Sequence, residues 1–378
     1  MIKILNKQSC SGCAACANIC PVDAIQMFPD REGFLYPSVN ADFCIECNEC
    51  VRVCPFIIPR DPVPPIATFI AEHKDAIIVQ QSSSGGVAYQ LACHAFQNSG
   101  WFFGAAFDVS WKLMHDGISS LADLEKYRRS KYIQSEIGFS FRKVKELVNE
   151  GQFIVFIGTP CQIAGLASFL GNKRNTVVLV EVICHGVASP LIFTRYLAAL
   201  SDKYKSIVEG VNFRDKEKAA VAMGITFKKG EKYLRAANND LFFRAFGRGL
   251  SLRKSCGDCL ANNFRSSADL EIGDFWGAKR KFKEFDENKG ASLVIVRSKK
   301  GKAVWDSISS AFRINVADLE YACENNPNIK DSTMLSKERG QFFLEIDQTR
   351  DILRVLRKYT KRNYFMALYS YIVRKLFR

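Results

Sequence analysis

Between residues 66 and 340 the apolar positions follow two periods. Short β-branched or aromatic runs, ATFIAEH at 67–73, WFFGAAFD at 101–108, FIVFIG at 153–158, TVVLVEVIC at 176–184 and ASLVIV at 291–296, read as strands. Between them GGVAYQLACHAFQNSG, SFRKVKELVNEG, CQIAGLASFLG, SPLIFTRYLAALSDKY and KGKAVWDSISSAF carry apolar residues at the spacing of helices with one buried face. Ser189 is placed to cap the fourth helix, with Pro190 at its first position. Strands alternating with helices predict a mixed α/β or α+β body over 66–340.

The first sixty residues read differently. CSGCAACANICP sets Cys10, Cys13, Cys16 and Cys20 before Pro21, and CIECNECVRVCP sets Cys44, Cys47, Cys50 and Cys54 before Pro55. Both match the spacing of a bacterial two-cluster 4Fe-4S ferredoxin, in which the fourth cysteine of each run ligates the other cluster. Cluster one is therefore expected on Cys10, Cys13, Cys16 and Cys54, and cluster two on Cys44, Cys47, Cys50 and Cys20. A pair of zinc sites is the alternative. FPDREGFLYPSVN at 28–40 reads as a β-hairpin joining the halves. The Pro-rich PRDPVPP at 59–65 marks a linker, which gives a ferredoxin domain at 1–58, the linker, the body at 66–340 and a basic helical tail at 341–378.

Charge adds one distinction. The chain carries +14, while residues 1–60 hold five Lys/Arg against six Asp/Glu, so the body and tail carry +15. Such a surface suits acidic partners, polyanionic ligands or anionic membranes; a nucleic-acid partner is not expected. No secretory pattern opens the sequence. The uncharged stretch at 153–171 breaks at Gly158-Thr159-Pro160 into strand, turn and helix, so it is not expected to span a membrane. A cytoplasmic protein is expected, one in which fourteen cysteines are ligands or buried thiols and not disulfides.

In the body, Cys161 and Cys184 each follow a strand, where sites gather in open α/β sheets, and Cys256-Gly-Asp-Cys259 supplies two more thiols. A third 4Fe-4S cluster on Cys161, Cys184, Cys256 and Cys259 is one reading. Buried strand-end thiols beside a zinc half-site or a dithiol redox pair are the others. There is no G-x-G-x-x-G after a strand and no Walker A sequence. Ser82, Ser83, Ser84, Gly85 and Gly86, just ahead of a helix, form either a phosphate cradle or a simple cap.

SSSGGVAYQLA, SKYIQSEIG, FIGTPCQIAGL, VICHGVASP, NFRDK, CGDCLANNFRSSADLEIGDFWG and SLVIVRS together resemble the coenzyme F-420 hydrogenase/dehydrogenase beta subunit, here with a double ferredoxin at its N-terminus. The resemblance implies FAD in the body beside a cluster, with the pyrophosphate at Ser82–Gly86. On its motifs, Tyr132, Gln134, Ser135, Trp276 and Gly277 are expected around the cofactor, and Lys131, His185 and Asp274 as catalytic candidates, His185 being open to a structural reading. It implies an oxidoreductase passing electrons between a ferredoxin or other redox protein, the clusters, FAD and an organic substrate. That substrate is the deazaflavin coenzyme, another conjugated ring or a sugar- or lipid-linked intermediate of surface polysaccharide synthesis. A non-catalytic electron carrier or redox sensor is the alternative. In the tail, Ile352, Val355, Leu356 and Tyr359, then Phe365, Leu368, Tyr369 and Ile372, keep helical spacing. Peripheral contact with the inner face of the membrane and packing on the body both fit that pattern.

Overall fold

The computed structural model describes residues 1–3, 6–57, 60–217, 219 and 221–361. The hairpin expected at 28–40 is present, as β1 (Ile25–Pro29) paired antiparallel with β2 (Leu35–Val39). The body is built on an eight-stranded mixed sheet. Its strands are β3 (Ala67–His73), β4 (Trp101–Phe107), β5 (Leu113–Ile118), β6 (Ile154–Gly158), β7 (Val177–Val182), then, after a three-stranded antiparallel sheet of β8 (Val208–Asn212), β9 (Ala222–Phe227) and β10 (Lys232–Ala236), β11 (Leu270–Asp274), β12 (Ser292–Val296) and β13 (Phe312–Val316). The large sheet runs β13-β3-β12-β11-β7-β6-β4-β5. Its middle, β11-β7-β6-β4, is parallel. Buried on both faces, β6 and β7 are nearly continuous apolar runs, as such strands must be.

All five body helices expected from the apolar pattern form, including Val87–Gln97, Pro160–Leu170 and Pro190–Tyr204. The ferredoxin segment does not stand apart on its linker. Phe34 and Tyr36 share a core with Phe193, Phe213 and Leu252, and Cys16 and Ala17 share another with Phe141 and Leu166. Residues 60–65 are tied down by Arg60 Nη1 donating to Ser267 Oγ (2.8 Å) and Val63 N to the Phe264 carbonyl (3.0 Å).

The tail region also belongs to the body. Helices Arg339–Gln348 and Ile352–Tyr359 put Phe342, Phe343, Ile352, Val355, Leu356 and Tyr359 into the core containing Phe193 and Phe242. The first apolar stripe of the tail therefore faces protein. Phe365, Leu368, Tyr369 and Ile372 lie outside the described residues. Among the described residues no helix is long and apolar enough to cross a membrane.

Candidate functional site

The two N-terminal cysteine loops fold alike. Ala14 and Asn48, each directly after the second cysteine of its run, are left-handed (φ 58° and 61°) and turn the chain into the short helices Ala15–Ile19 and Glu49–Arg52. Burial, then Cys10 and Cys54, push the Cys16 thiol up to about 12; burial, with Cys10 among its neighbours, also raises Cys54. Cys54 thus lies with Cys10 and Cys16, and Cys20 lines one cavity with Cys44, Cys47 and Cys50.

The sheet explains how Cys161 and Cys184 meet. In the β6–β7 ladder Gly158 faces Glu181, and each cysteine lies three residues beyond its member of that rung. Thr159 opens the Pro160–Leu170 helix in a capping box: its N–H and its hydroxyl donate to Gln162 Oε1 (3.0 and 3.1 Å), and the same hydroxyl lies 3.2 Å from Cys161 Sγ. The short turn Lys254–Asp258 brings Cys256 and Cys259 to the same place. All four thiols line one cavity with Ser9, Ser11 and Phe56 of the ferredoxin segment.

Burial is the main force on these thiols, followed at Cys184 by Cys256, Cys161 and Cys259; it drives Cys184 well above the thiol range, Cys256 to about 11 and Cys259 to about 12. All fourteen cysteines are free. Among the described residues no three His, Cys, Asp or Glu side chains close tightly enough around a point for one metal ion; the thiols stand around a space. Two buried polar atoms share the wall. Ser11 Oγ is buried with the Cys161 thiol as its neighbour, and His185 Nε2 is buried without a partner while Nδ1 donates to Asn328 Oδ1 (3.1 Å).

The two sets of thiols are close neighbours. Burial, then Cys16, Cys10 and Cys161, raise Cys13 well above the thiol range. The Pro160–Leu170 helix sits directly on the Cys13 loop, and a Cβ at Gly165 would lie 3.0 Å from Cys13 Sγ.

Ser83, Tyr132, Asp274 and Trp276 converge on a residue that sequence reasoning passed over as a role, although it lies in NFRDK. Arg214 is almost fully buried and forks onto Asp274 (2.7 and 3.0 Å). It also donates to Tyr132 Oη (3.1 Å) and the Ser83 carbonyl (2.8 Å), and its guanidinium lies 6.0 Å from the centre of the Trp276 ring. One side chain thus joins the Ser/Gly loop, the 130–138 motif and the 271–277 motif.

Positive charge collects there. Arg128 donates to Gln81 Oε1 and Ile78 O beside the Ser/Gly loop, and Lys216 Nζ donates to Val79 O and Lys289 O. Burial brings Lys131 down to about 7, and burial and then Arg214 bring Lys216 down to about 8. Two of the serine hydroxyls donate inward, Ser82 to Ile78 O and Ser84 to Ala291 O, while Ser83 Oγ accepts from Ser130 N–H and Ser130 Oγ. The Gly85 N–H is held by Ser292. Gly86, at φ 92°, caps the Val87–Gln97 helix, so this cradle offers helix-end N–H groups and cations more than hydroxyls. Gly277 caps the Ala278–Lys281 turn and accepts from Tyr321.

Two expected cofactor residues point elsewhere. An extended segment advances about 3.3 Å per residue, so 131–136 runs from Arg214 to the thiols. Gln134 donates to Ser11 O (3.0 Å) and accepts from Arg253 (2.9 Å). Ser135 lies in a buried chain, donating to His115 Nδ1 (2.9 Å) and accepting from Gln162 Nε2 (2.9 Å), while His115 Nε2 donates to Ile157 O. Neither touches the Arg214 cluster. The ring of Phe246 links the two regions, 5.4 Å from Tyr132 and 5.0 Å from His185.

Residues 151–321 match the family model for the C terminus of the coenzyme F420 hydrogenase/dehydrogenase beta subunit, and residues 9–58 match the 4Fe-4S dicluster domain. The chain is 22% identical over 84% of its length, and 49% of the relative, to a coenzyme F420-dependent sulfite reductase of Methanocaldococcus jannaschii. It is 24% identical over 47% of its length, and 53% of the relative, to a subunit of the F(420)H(2) dehydrogenase of Methanosarcina mazei. It spans about half the length of the curated relatives it matches. A chain of the F420-reducing [NiFe] hydrogenase complex of Methanosarcina barkeri aligns at a TM-score of 0.47 and 18% identity, over 72% of this chain and 93% of that one.

Proposed function

Because the chain joins the C-terminal domain of the coenzyme F420 hydrogenase/dehydrogenase beta subunit to a 4Fe-4S dicluster domain, we propose that it is an iron–sulfur flavoprotein oxidoreductase. Cys10, Cys13, Cys16 and Cys54, Cys44, Cys47, Cys50 and Cys20, and Cys161, Cys184, Cys256 and Cys259 would hold three 4Fe-4S clusters, and the Arg214 cluster would hold FAD. When bound, the clusters supply one-electron carriage and the flavin supplies exchange of a hydride for single electrons. The observation that carries the reading is the gathering of four thiols, from three separated segments, around one cavity walled by the cysteine loop of the ferredoxin segment.

The residues divide the work. Arg214, Lys131 and Lys216 bind and orient a polyanionic pyrophosphate. Asp274, already paired with Arg214, is the counter-ion that fixes the guanidinium and not a free acid or base. Tyr132, its ring packed on Phe213, Phe243 and Phe246, shields the space between pyrophosphate and thiols from water. Ser11 Oγ is placed to donate to sulfur, and His185 Nε2 to accept a hydrogen bond from a bound group. A redox protein would dock on residues 1–57, and the names of the relatives support a hydride-carrying conjugated ring as substrate class.

Anaerobic purification with iron and flavin analysis tests the proposal. About twelve iron atoms and about one flavin per chain are expected, with about four iron atoms lost in Cys161→Ser and in Cys256→Ser. Wild-type iron content in either variant refutes the third cluster. About eight iron atoms without flavin would leave a carrier module instead.

A further inference from the structure

Among the described residues four arginines are buried: Arg214, Arg253, Arg297 and Arg339. Arg214 faces Asp274, Arg297 faces Glu181 and Glu271, and Arg339 faces Glu32. Arg253, 1% exposed, faces no carboxylate among the described residues. Glu32 is taken by Arg339 and Lys254, and Asp258, on the wall of the cavity that Arg253 also lines, makes no ion pair with Arg253 among the described residues. A buried charge without a counter-charge is strongly unfavourable.

The position of Arg253 shows what is expected to balance it. Nε donates to the Cys10 carbonyl (3.0 Å), Nη2 to the Leu35 carbonyl (2.9 Å) and Nη1 to Gln134 Oε1 (2.9 Å). Nη2 is also 3.9 Å from Cys10 Sγ, and the guanidinium lies 4.1 Å from the centre of the Tyr36 ring. Its other side lines the cavity of Cys161, Cys184, Cys256 and Cys259. The side chain therefore stands between a thiol of the inner ferredoxin set and the thiols of the body set.

We propose that Arg253 is the shared counter-charge of the inner N-terminal cluster and the body cluster, setting the ease of reduction of both together. The inference rests on the third cluster proposed above. A cation beside two thiolate-ligated centres favours the more negative, reduced form of each. The outer cluster, on Cys44, Cys47, Cys50 and Cys20, lies outside this effect.

Redox titration of the holoprotein followed by electron paramagnetic resonance tests the assignment in two variants. Arg253→Gln removes the charge; Gln134→Glu keeps the shape and sets a carboxylate against Nη1. In both, two of the three midpoint potentials are expected to fall together while the third stays at its wild-type value. Potentials that stay put, that shift at one cluster alone or that shift equally at all three overturn the proposal. If Arg253→Gln loses iron, Gln134→Glu decides it by the same criteria. Wild-type protein with about eight iron atoms sinks the underlying third cluster; about twelve, with two potentials that do not move together in the variants, sinks only the sharing.

Discussion

Gly12, in the first cysteine loop, sits at φ +72° against Gln134 and Arg253, two of the side chains that hold the ferredoxin segment to the body. A Cβ there would come 2.8 Å from Gln134 Nε2, 2.9 Å from Arg253 Nη1 and 3.0 Å from the Leu35 carbonyl. Gly12→Ala thus incurs two costs. A left-handed non-glycine residue costs about 1–2 kcal/mol. Pushing back the Arg253 and Gln134 ends disrupts two hydrogen bonds, at about 1 kcal/mol each, for a total of about 3–4 kcal/mol. Gly151 separates the two, because its φ of +76° is nearly the same and a Cβ there would meet nothing within 4 Å. Gly151→Ala should therefore show only the backbone cost. Anaerobic urea melts of the two variants in parallel, read by intrinsic fluorescence, cancel whatever cluster loss is common to both. Gly12→Ala should be the less stable by about 2 kcal/mol. A difference under about 0.5 kcal/mol would refute the view that this loop is clamped by Arg253 and Gln134.

Arg214→Lys cannot fork onto Asp274 and Ser83 at once, and it should lose most bound flavin while retaining its iron, as absorbance and iron assays of purified protein would show. Retained flavin would remove Arg214 from the cradle. Lys131 and Lys216 titrate near 7 and 8 because burial disfavours their charge. A bound pyrophosphate favours the charged forms, so FAD affinity should fall as pH rises through that range and binding at about pH 8 should take up protons. Calorimetry in buffers of different ionisation enthalpy measures this; an uptake of zero would exclude both lysines. Leu356→Ala should cost about 2–5 kcal/mol in a urea melt, since that side chain is fully buried. A near-neutral result would reopen the membrane reading of that helix.

How much could be read in advance depended on whether the signal was local. The cysteine spacing and the strands β6 and β7 are each written in consecutive residues; the structure has both strands and gathers the N-terminal thiols in two groups. The third set of thiols was legible because strand ends converge in a parallel sheet. Strand β11 was missed because Glu271 breaks its apolar run; it is tolerated there by Arg297, which also binds Glu181 on the neighbouring strand. Nothing near Glu271 in sequence announces that partner. Arg214 was visible as part of a motif, but its role exists only through side chains scattered from residue 83 to residue 276. Gln134 and Ser135 were assigned to the cofactor for the converse reason: motif proximity does not say which way an extended segment runs. The amphipathic stripe at 352–359 was correctly seen, yet a stripe does not disclose whether protein or lipid covers it.

The rung pairing Gly158 with Glu181 also bears on the order in which the protein matures. All eight thiols of the ferredoxin segment have been made once Cys54 is on the chain, and local loops alone can gather them. The fourth thiol of the body set arrives only with Cys259, and Cys161 and Cys184 stand side by side only after β6 and β7 have zipped in register. Iron for the cluster proposed on the body thiols would have to wait for a finished sheet, so a folding defect far from any cysteine would be expected to lower iron content by about four atoms.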